Sequence, residues 1–261
     1  MNDLERLLAI MCQLRDPKGG CPWDLAQDFH SIVPHTLEEA YEVADAIAGG
    51  DRAEIRDELG DLLFQVVFYA QLGKEEGAFD FNDVARAISD KLVRRHPHVF
   101  AQESAGSSDK LSANWEAIKA QERAGKGQGD SVLNDVPKAL PALSRAVKLQ
   151  KRAARVGFDW DDLAPVFDKI HEEIDEVRAE IAAADKDRLE DEVGDLLFAV
   201  TNLARHLKLD PEAALRRANG KFERRFRAIE QRVQGAGETM QAQGLAKLEA
   251  HWQAVKATEK P

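Results

Sequence analysis

The chain repeats itself, and this internal duplication limits what it can fold into. The nine residues from Glu58, ELGDLLFQV, are identical at seven positions to the nine from Glu192, EVGDLLFAV. A second pair, LEEAYEV from Leu37 and HEEIDEV from His171, stands at the same offset of 134 residues. Similarity at a fixed offset indicates two copies of one structural unit. We therefore expect two related domains.

Weaker matches extend the repeat outward in each copy. SDKLVRR from Ser89 corresponds to NGKFERR from Asn219, and LSANWEAIKAQE from Leu111 corresponds to LEAHWQAVKATE from Leu248. Between the copies, residues 125–131 (GKGQGDS) contain no apolar residue and are typical of a linker. The predicted organisation is an N-terminal domain at 1–124, a linker at 125–136 and a C-terminal domain at 137–261.

Hydrophobic periodicity predicts that both copies are helical. Within residues 58–72, apolar residues recur at spacings of three and four, as on one face of a helix. The other helices expected in the first copy span 30–49, 81–95 and 111–124. No segment alternates convincingly with the period of two that marks a half-buried strand. We therefore predict an all-α fold of tandem, duplicated bundles of antiparallel helices.

Local signals predict where some of these helices begin. Thr36, with Glu39 three residues later, has the pattern of a capping box. Asp51 is a second expected start, after a pair of glycines. In the second copy, Asp210 before Pro211 predicts an N-cap followed by proline at the first helical position.

Both copies carry the same acidic residues on two successive helices. Spacings of three and four place carboxylates above one another on one helix face, and antiparallel helices bring two such faces together. Clusters of oxygen ligands suit hard cations, so we predict Mg²⁺, with Mn²⁺ as the alternative. The expected ligands are Glu173, Glu176, Glu192 and Asp195, with Glu172 as a further ligand or a base that orients water. The second, weaker candidate site is Glu38, Glu39, Glu42, Glu58 and Asp61.

Solvated acidic helix faces are common, so a helical interaction module without catalysis is an alternative. The metal site is favoured because Asp61 and Asp195 directly precede Leu-Leu-Phe, which sets several like charges beside an apolar face. Such charges repel unless a cation lies among them. A di-iron site would need Glu-x-x-His pairs on helices, and the acidic pairs here have no histidine at that spacing.

The second copy also holds cations and an aromatic residue suited to a triphosphate and its base. Arginine binds phosphate oxygens in pairs and lysine acts as a point charge, while tryptophan can stack on a base without reading its edges. Asn202 lies seven residues after Asp195, on the same helix face, and can hydrogen-bond a sugar or base. The expected substrate-binding residues are Lys169, Asn202, Lys221, Arg224, Arg225, Trp252 and Lys256.

The first copy has fewer of the residues that are expected to bind substrate. Phe68 stands where the second copy has Asn202, and His35 stands where it has Lys169. Pro97 should end the helix that the second copy continues. We therefore expect the second copy to be the main catalytic site.

The negative net charge of the chain limits the classes of partner that it is expected to bind. A formal charge of −11 disfavours binding to the phosphate backbone of nucleic acid, whereas a bound divalent cation would allow an anionic small substrate. The chain has neither a long apolar stretch nor a signal-peptide pattern at its start. We expect no nucleic-acid partner, no membrane association and a cytoplasmic protein.

The combination of EExxE, a gap of 15 residues and ExxD, with the KFxRR segment and the Trp-xxx-Lys tail, resembles the MazG family of nucleoside triphosphate pyrophosphohydrolases. The similarity covers nearly the whole chain. It implies an all-α NTP pyrophosphatase fold, Mg²⁺ dependence, a homodimer and hydrolysis of NTPs and dNTPs to nucleoside monophosphate and pyrophosphate. It also implies nucleotide-pool cleaning and a role in lowering alarmones during starvation. A narrower pyrophosphatase for dUTP, dCTP or a phosphoribosyl nucleotide is the alternative.

Overall fold

The computed structural model describes residues 1–101, 131–183 and 185–259. Within these ranges the protein is helical and contains no strand, so the predicted all-α fold is confirmed. The chain divides into two compact units, residues 1–122 and 123–261. The helix predicted at 111–124 and residues 125–130 of the predicted linker lie outside the described residues.

The N-terminal unit is organised around a long helical hairpin. Its helices are α1 (Asp3–Leu14), α2 (Pro22–Leu25), α3 (Val33–Gly49), α4 (Arg52–Glu75), α5 (Phe81–Arg95) and α6 (Pro97–Phe100). α3 and α4 pack against each other, and α1 and α5 pack against α4. The apolar core consists of Met11, Ile32, Val67, Phe68 and Leu72.

The C-terminal unit repeats the hairpin and contains a further helix pair beside it. Its helices are α7 (Ala142–Ala154), α8 (Ala164–Ala183), α9 (Lys186–His206), α10 (Pro211–Gly235) and α11 (Gly244–Thr258), with a 3₁₀ turn at Met240–Ala242. α8 and α9 form the hairpin that corresponds to α3 and α4, and α7 packs on α9. α10 and α11 pack together around Ile229, Val233 and Val255.

The capping box predicted at Thr36 is wrong. α3 begins three residues earlier, at Val33, and has no side-chain cap because proline in its first turn supports the start instead. The Thr36 hydroxyl lies inside the helix, 3.1 Å from the Ile32 carbonyl oxygen and 3.0 Å from the Tyr69 hydroxyl. A threonine within a helix can satisfy its hydroxyl on the preceding turn, so the short motif is not specific.

Other predicted helix ends are confirmed. The Asp51 carboxylate accepts a hydrogen bond from the Ala53 amide at the start of α4, and Asp210 accepts one from Ala213 at the start of α10. α5 ends before Pro97 as expected, whereas α10 continues to Gly235. No helix of the described residues is long and apolar enough to cross a membrane.

Candidate functional site

α8 and α9 bring three of the predicted carboxylates together. Carboxylate oxygens of Glu173, Glu176 and Glu192 all lie within 4.8 Å of one another. Glu173 and Glu176 are one turn apart on α8, and Glu192 reaches them from α9. The Glu173 carboxyl raises the pKa of Glu176 above its ordinary value, with further contributions from burial and from the charge of Glu192. These three residues are called the C-terminal acidic cluster.

Glu173 is the buried member of this cluster. Its side chain is 4% exposed, and its Oε1 lies 2.7 Å from Lys169 Nζ. Its Oε2 is enclosed and has no hydrogen-bond partner among the described residues. Burying a hydrogen-bond acceptor without a partner costs free energy of folding, and coordination of a hard divalent cation would satisfy such a carboxylate oxygen. The donor set therefore fits such a cation.

Lys169 balances part of the negative charge. Its ammonium group also lies 2.8 Å from Glu172 Oε1, and the hydrogen bonds to Glu172 and Glu173 raise the pKa of Lys169 above its ordinary value. Glu172 is exposed and paired with Lys169, so the structure does not place it in the acidic cluster.

Asp195, the fourth predicted ligand, also lies outside the cluster. It is exposed on α9, one turn after Glu192. It nevertheless lines the same cavity as Glu173. Asp195 therefore lies at the edge of the space beside the cluster.

A cavity of about 710 Å³ opens next to these acids. Its walls come from α7, α8, α9 and the loop at 157–160, and they include the apolar residues Leu149, Val166, Phe158 and Phe198. Small-molecule sites commonly have volumes of about 300–1,000 Å³ and mostly apolar walls with a few polar groups. The cavity therefore has the size and lining expected for a nucleoside.

Amide side chains supply polar groups in this cavity. Asn202 is buried, and its Oδ1 accepts a hydrogen bond from Arg205 Nε at 2.8 Å. Gln150 is also buried, and its Nε2 donates to the Phe198 carbonyl at 2.9 Å. That bond fixes which way the Gln150 amide points, and Oε1 has no hydrogen-bond partner among the described residues.

Asp159 ties the loop at 157–160 to the end of α9. Its carboxylate accepts hydrogen bonds from the Arg205 guanidinium and lies 3.0 Å from His206 Nε2. The hydrogen bonds from Arg205 lower the pKa of Asp159 below its ordinary value. Asp159, Arg205 and Gln150 were not predicted from the sequence, although Arg205 stands one turn from Asn202 and that spacing could have indicated it.

The remaining predicted cations form a separate group on α10 and α11. Arg225 donates to Glu259 Oε2 at 2.9 and 2.5 Å, and its guanidinium carbon lies 5.4 Å from the centre of the Trp252 ring. Arg224 lies 3.6 Å from the same carboxylate of Glu259. Lys221 and Lys256 are exposed. None of these five predicted residues is among those lining the cavity, so the structure does not bring them to the acidic cluster within this unit.

The first copy keeps a cluster of its own. Carboxylate oxygens of Glu39, Glu58 and Asp61 lie within 4.8 Å of one another, and this set is called the N-terminal acidic cluster. Glu42 lies outside the group but beside it: burial and then the Glu42 carboxyl raise the pKa of Glu39. Glu38 is exposed, 3.7 Å from His35 Nδ1.

Comparison with known proteins identifies the family of the chain. The profile of the MazG nucleotide pyrophosphohydrolase domain matches residues 27–100 and 165–229, so each matched segment contains one acidic cluster. The chain is 59% identical to a nucleoside triphosphate pyrophosphohydrolase of Escherichia coli strain K12, over 99% of each protein. It is 44% identical to the nucleoside triphosphate pyrophosphohydrolase/pyrophosphatase MazG of Thermotoga maritima, over 97% of this chain and 95% of that protein.

Proposed function

Because the chain belongs to the MazG family of nucleotide pyrophosphohydrolases, we propose that it hydrolyses nucleoside triphosphates between the α and β phosphates. The products are a nucleoside monophosphate and pyrophosphate. We place the reaction in the C-terminal unit. The observation that carries this choice is that Glu173, a member of the cluster of three carboxylates, lines a cavity of about 710 Å³.

We propose that the C-terminal acidic cluster holds Mg²⁺, with Mn²⁺ as the alternative ion. Glu173, Glu176 and Glu192 supply the oxygen ligands, and Asp195, which lines the same cavity as Glu173, is proposed as the fourth ligand. A bound divalent ion neutralises phosphate charge and polarises the phosphorus for attack. The enclosed, unpartnered Oε2 of Glu173 supports this assignment.

Residues next to the cluster are proposed to orient the attacking water and to bind the phosphates. We propose that Glu172, which is exposed beside the cluster and lies 2.8 Å from Lys169 Nζ, orients the attacking water. The raised pKa of Lys169 keeps its side chain protonated, so it supplies a positive charge to a phosphate oxygen. Within one chain Lys221, Arg224, Arg225, Trp252 and Lys256 lie apart from the cavity, so we assign them no contact with a nucleotide bound there.

The cavity supports broad tolerance of bases. The direction of Gln150 Oε1 is fixed because Nε2 is held by the Phe198 carbonyl, and we propose that an entering base displaces the wall that encloses this acceptor. Every common nucleobase has at least one N–H on its pairing edge, so a single acceptor can be satisfied by all of them. A pyrophosphatase restricted to dUTP or dCTP would need further groups that reject the other bases.

We propose that the protein works as a homodimer. Apolar residues are exposed at spacings of three and four along one face of α9, namely Val193, Leu197 and Val200, and Leu207 is exposed directly after the helix. α10 exposes a similar set, Leu215, Phe222 and Phe226. Contiguous apolar surface of this kind marks an interaction site. Nucleotide-pool cleaning and alarmone control are proposed cellular roles that follow from the family resemblance.

Phosphorus NMR of ATP with Mg²⁺ and purified protein tests the reaction. We expect AMP and pyrophosphate as the first products, and no reaction with Glu173→Gln at the same concentration. The appearance of ADP and orthophosphate would contradict the proposed bond. Turnover limited to one nucleotide in a panel of NTPs and dNTPs would instead favour the narrower enzyme.

A further inference from the structure

A chain of hydrogen bonds links the loop at 157–160 to a polar group of the C-terminal cavity. Arg205 stands at the end of α9, where it lines the cavity and its side chain is only 11% exposed. Its Nε donates to Asn202 Oδ1 at 2.8 Å, and its terminal nitrogens donate to the Asp159 carboxylate. One guanidinium group therefore holds the Asn202 amide on one side and the loop on the other.

The bond from Arg205 determines which way the Asn202 amide faces. An asparagine amide has an oxygen that accepts and an NH₂ group that donates, whereas arginine has donors only. Arg205 can therefore meet Asn202 only through Oδ1, and Nδ2 is left on the opposite side of the amide. Nδ2 has no hydrogen-bond partner among the described residues and is not an enclosed atom. Since Asn202 lines the cavity, this donor is open to a ligand bound there.

The Asp159 carboxylate holds Arg205 in this position. It accepts two hydrogen bonds from the guanidinium, one of them at 2.9 Å, and paired charge-assisted bonds fix direction as well as distance. His206 Nε2 lies 3.0 Å from the same carboxylate. A planar guanidinium held at both terminal nitrogens has one remaining direction in which Nε can donate, and that direction leads to Asn202. Asp159 therefore orients Asn202 through Arg205.

The N-terminal unit lacks all three members of this chain of bonds. The two helix positions are compared at the repeat offset of 134 residues, and the loop position at the offset of 137 that aligns Trp23 with Trp160. The residues that replace Asn202, Arg205 and Asp159 are Phe68, Gln71 and Pro22. Phe68 is fully buried in the apolar core, so no donor faces a ligand from that position.

The N-terminal unit nevertheless anchors the segment between α1 and α3. Arg15 donates to the Gln27 carbonyl at 3.2 Å and to Glu75 Oε2 at 2.7 Å, so the anchor comes from α1. Anchoring this part of the repeated fold therefore does not require an arginine at the position of Arg205. The bond from Arg205 to the Asn202 amide is an addition of the unit that contains the large cavity.

We propose that Arg205, held by Asp159, is a positioning residue that turns the Asn202 amide so that its NH₂ group donates to an acceptor atom of the bound nucleoside. The proposal rests on the proposed function, because it places the nucleoside in the cavity of the C-terminal unit. It adds that the contribution of Arg205 to nucleotide affinity passes through Asn202.

Arg205→Lys tests this role, because lysine has a methylene in place of Nε and keeps a positive charge opposite Asp159. Calorimetric titration with α,β-methylene-ATP measures affinity without requiring hydrolysis. We expect Arg205→Lys to raise Kd about two- to tenfold, the effect of one neutral hydrogen bond, and Asn202→Ala to raise it by a similar factor. Arg178→Lys, at an exposed position of α8, is the matched control and should leave Kd unchanged.

The double variant Asn202→Ala/Arg205→Lys separates positioning from a merely structural role. If Arg205 acts through Asn202, its substitution has no further effect once the amide is gone, so the double variant should have the Kd of Asn202→Ala alone. An effect of Arg205→Lys that persists undiminished without the amide would overturn the proposal, as would an unchanged Kd in Arg205→Lys itself. Should Arg205→Lys fail to fold, Asp159→Asn, which weakens the hold on the guanidinium, gives the same comparison.

Hydrolysis is measured separately, by release of pyrophosphate from ATP. A wild-type chain that binds the analogue but releases no pyrophosphate would contradict the proposed function and leave the coupling between Arg205 and Asn202 intact. Additive effects of the two substitutions on Kd, in a chain that does release pyrophosphate, would contradict the positioning role alone.

Discussion

Replacing Gln150 with leucine is expected to change the stability of the fold and the affinity for nucleotide in opposite directions. In the folded protein the Gln150 amide makes one hydrogen bond, to the Phe198 carbonyl, and its Oε1 is buried without a partner. Leucine has a similar size and no polar atoms. The substitution therefore removes one favourable contact and one unfavourable burial together.

The two contributions have known magnitudes. A typical hydrogen bond contributes about 0.5–1.5 kcal/mol to the free energy of unfolding, whereas burying an unpartnered polar atom costs about 1–3 kcal/mol. The net change in the free energy of unfolding for Gln150→Leu is then between about −0.5 and 2.5 kcal/mol, so most of the range favours the folded state. The same substitution removes the acceptor proposed for the base. Losing about 0.5–1.5 kcal/mol of binding raises KM about two- to tenfold, with kcat little changed.

Differential scanning calorimetry and initial-rate kinetics with ATP, GTP, CTP and UTP check both halves of this prediction. Gln13→Leu, at an exposed position of α1, is the matched control and should change neither quantity. We expect Gln150→Leu to keep or raise the Tm of the C-terminal unit and to raise KM similarly for all four nucleotides. A lowered Tm with unchanged KM would refute the reasoning, because it would mean that Oε1 is satisfied in the fold and remote from the base.

Three further results are expected. Glu173→Gln and Glu192→Gln should each lower kcat/KM by at least about 100-fold, more than the 10–100-fold typical of groups that only support a metal ligand. Calorimetry should show a retained Tm, because each substitution also relieves repulsion between acids. An unchanged rate would show that these residues are not part of the catalytic site. The Mg²⁺ concentration for half-maximal rate should rise as pH falls toward 5, because the raised pKa of Glu176 makes a proton compete with the ion; a pH-independent requirement would contradict this. The pKa of Asp159 is lowered, so its pairing with Arg205 stabilises the fold above the ordinary carboxyl pKa of about 4, and this stabilisation is lost as pH falls through the lowered value. Asp159→Asn should therefore release the loop at 157–160 at neutral pH, which altered Trp160 fluorescence would report. An unaltered spectrum would argue against a role for Asp159 in holding the loop.

The acidic clusters could be anticipated from the sequence because helix geometry is regular. A repeat at a fixed offset, with acids at spacings of three and four, places carboxylates on matching faces of two helices. Periodicity does not determine how two helices are rotated against each other. Asp195 lies outside the C-terminal cluster, whereas its counterpart Asp61 belongs to the N-terminal one.

Contacts between segments that are far apart in the chain could not be predicted from the sequence. Arg225 was predicted to meet phosphate, and in the structure it binds Glu259 and lies over Trp252. Nothing in a local pattern indicates that the residues near the chain end return to this helix. Gln150 was missed for the same reason, since its importance arises from burial against α9 and not from any motif in α7.

Anomalous diffraction from crystals grown with Mn²⁺ and α,β-methylene-ATP locates both the ion and the base in one measurement. We predict a manganese peak within bonding distance of Glu173, Glu176 and Glu192, with the nucleoside in the neighbouring cavity and its base within reach of Gln150. A nucleotide bound elsewhere, or a C-terminal acidic cluster without manganese beside bound nucleotide, would contradict the assignment of the catalytic site.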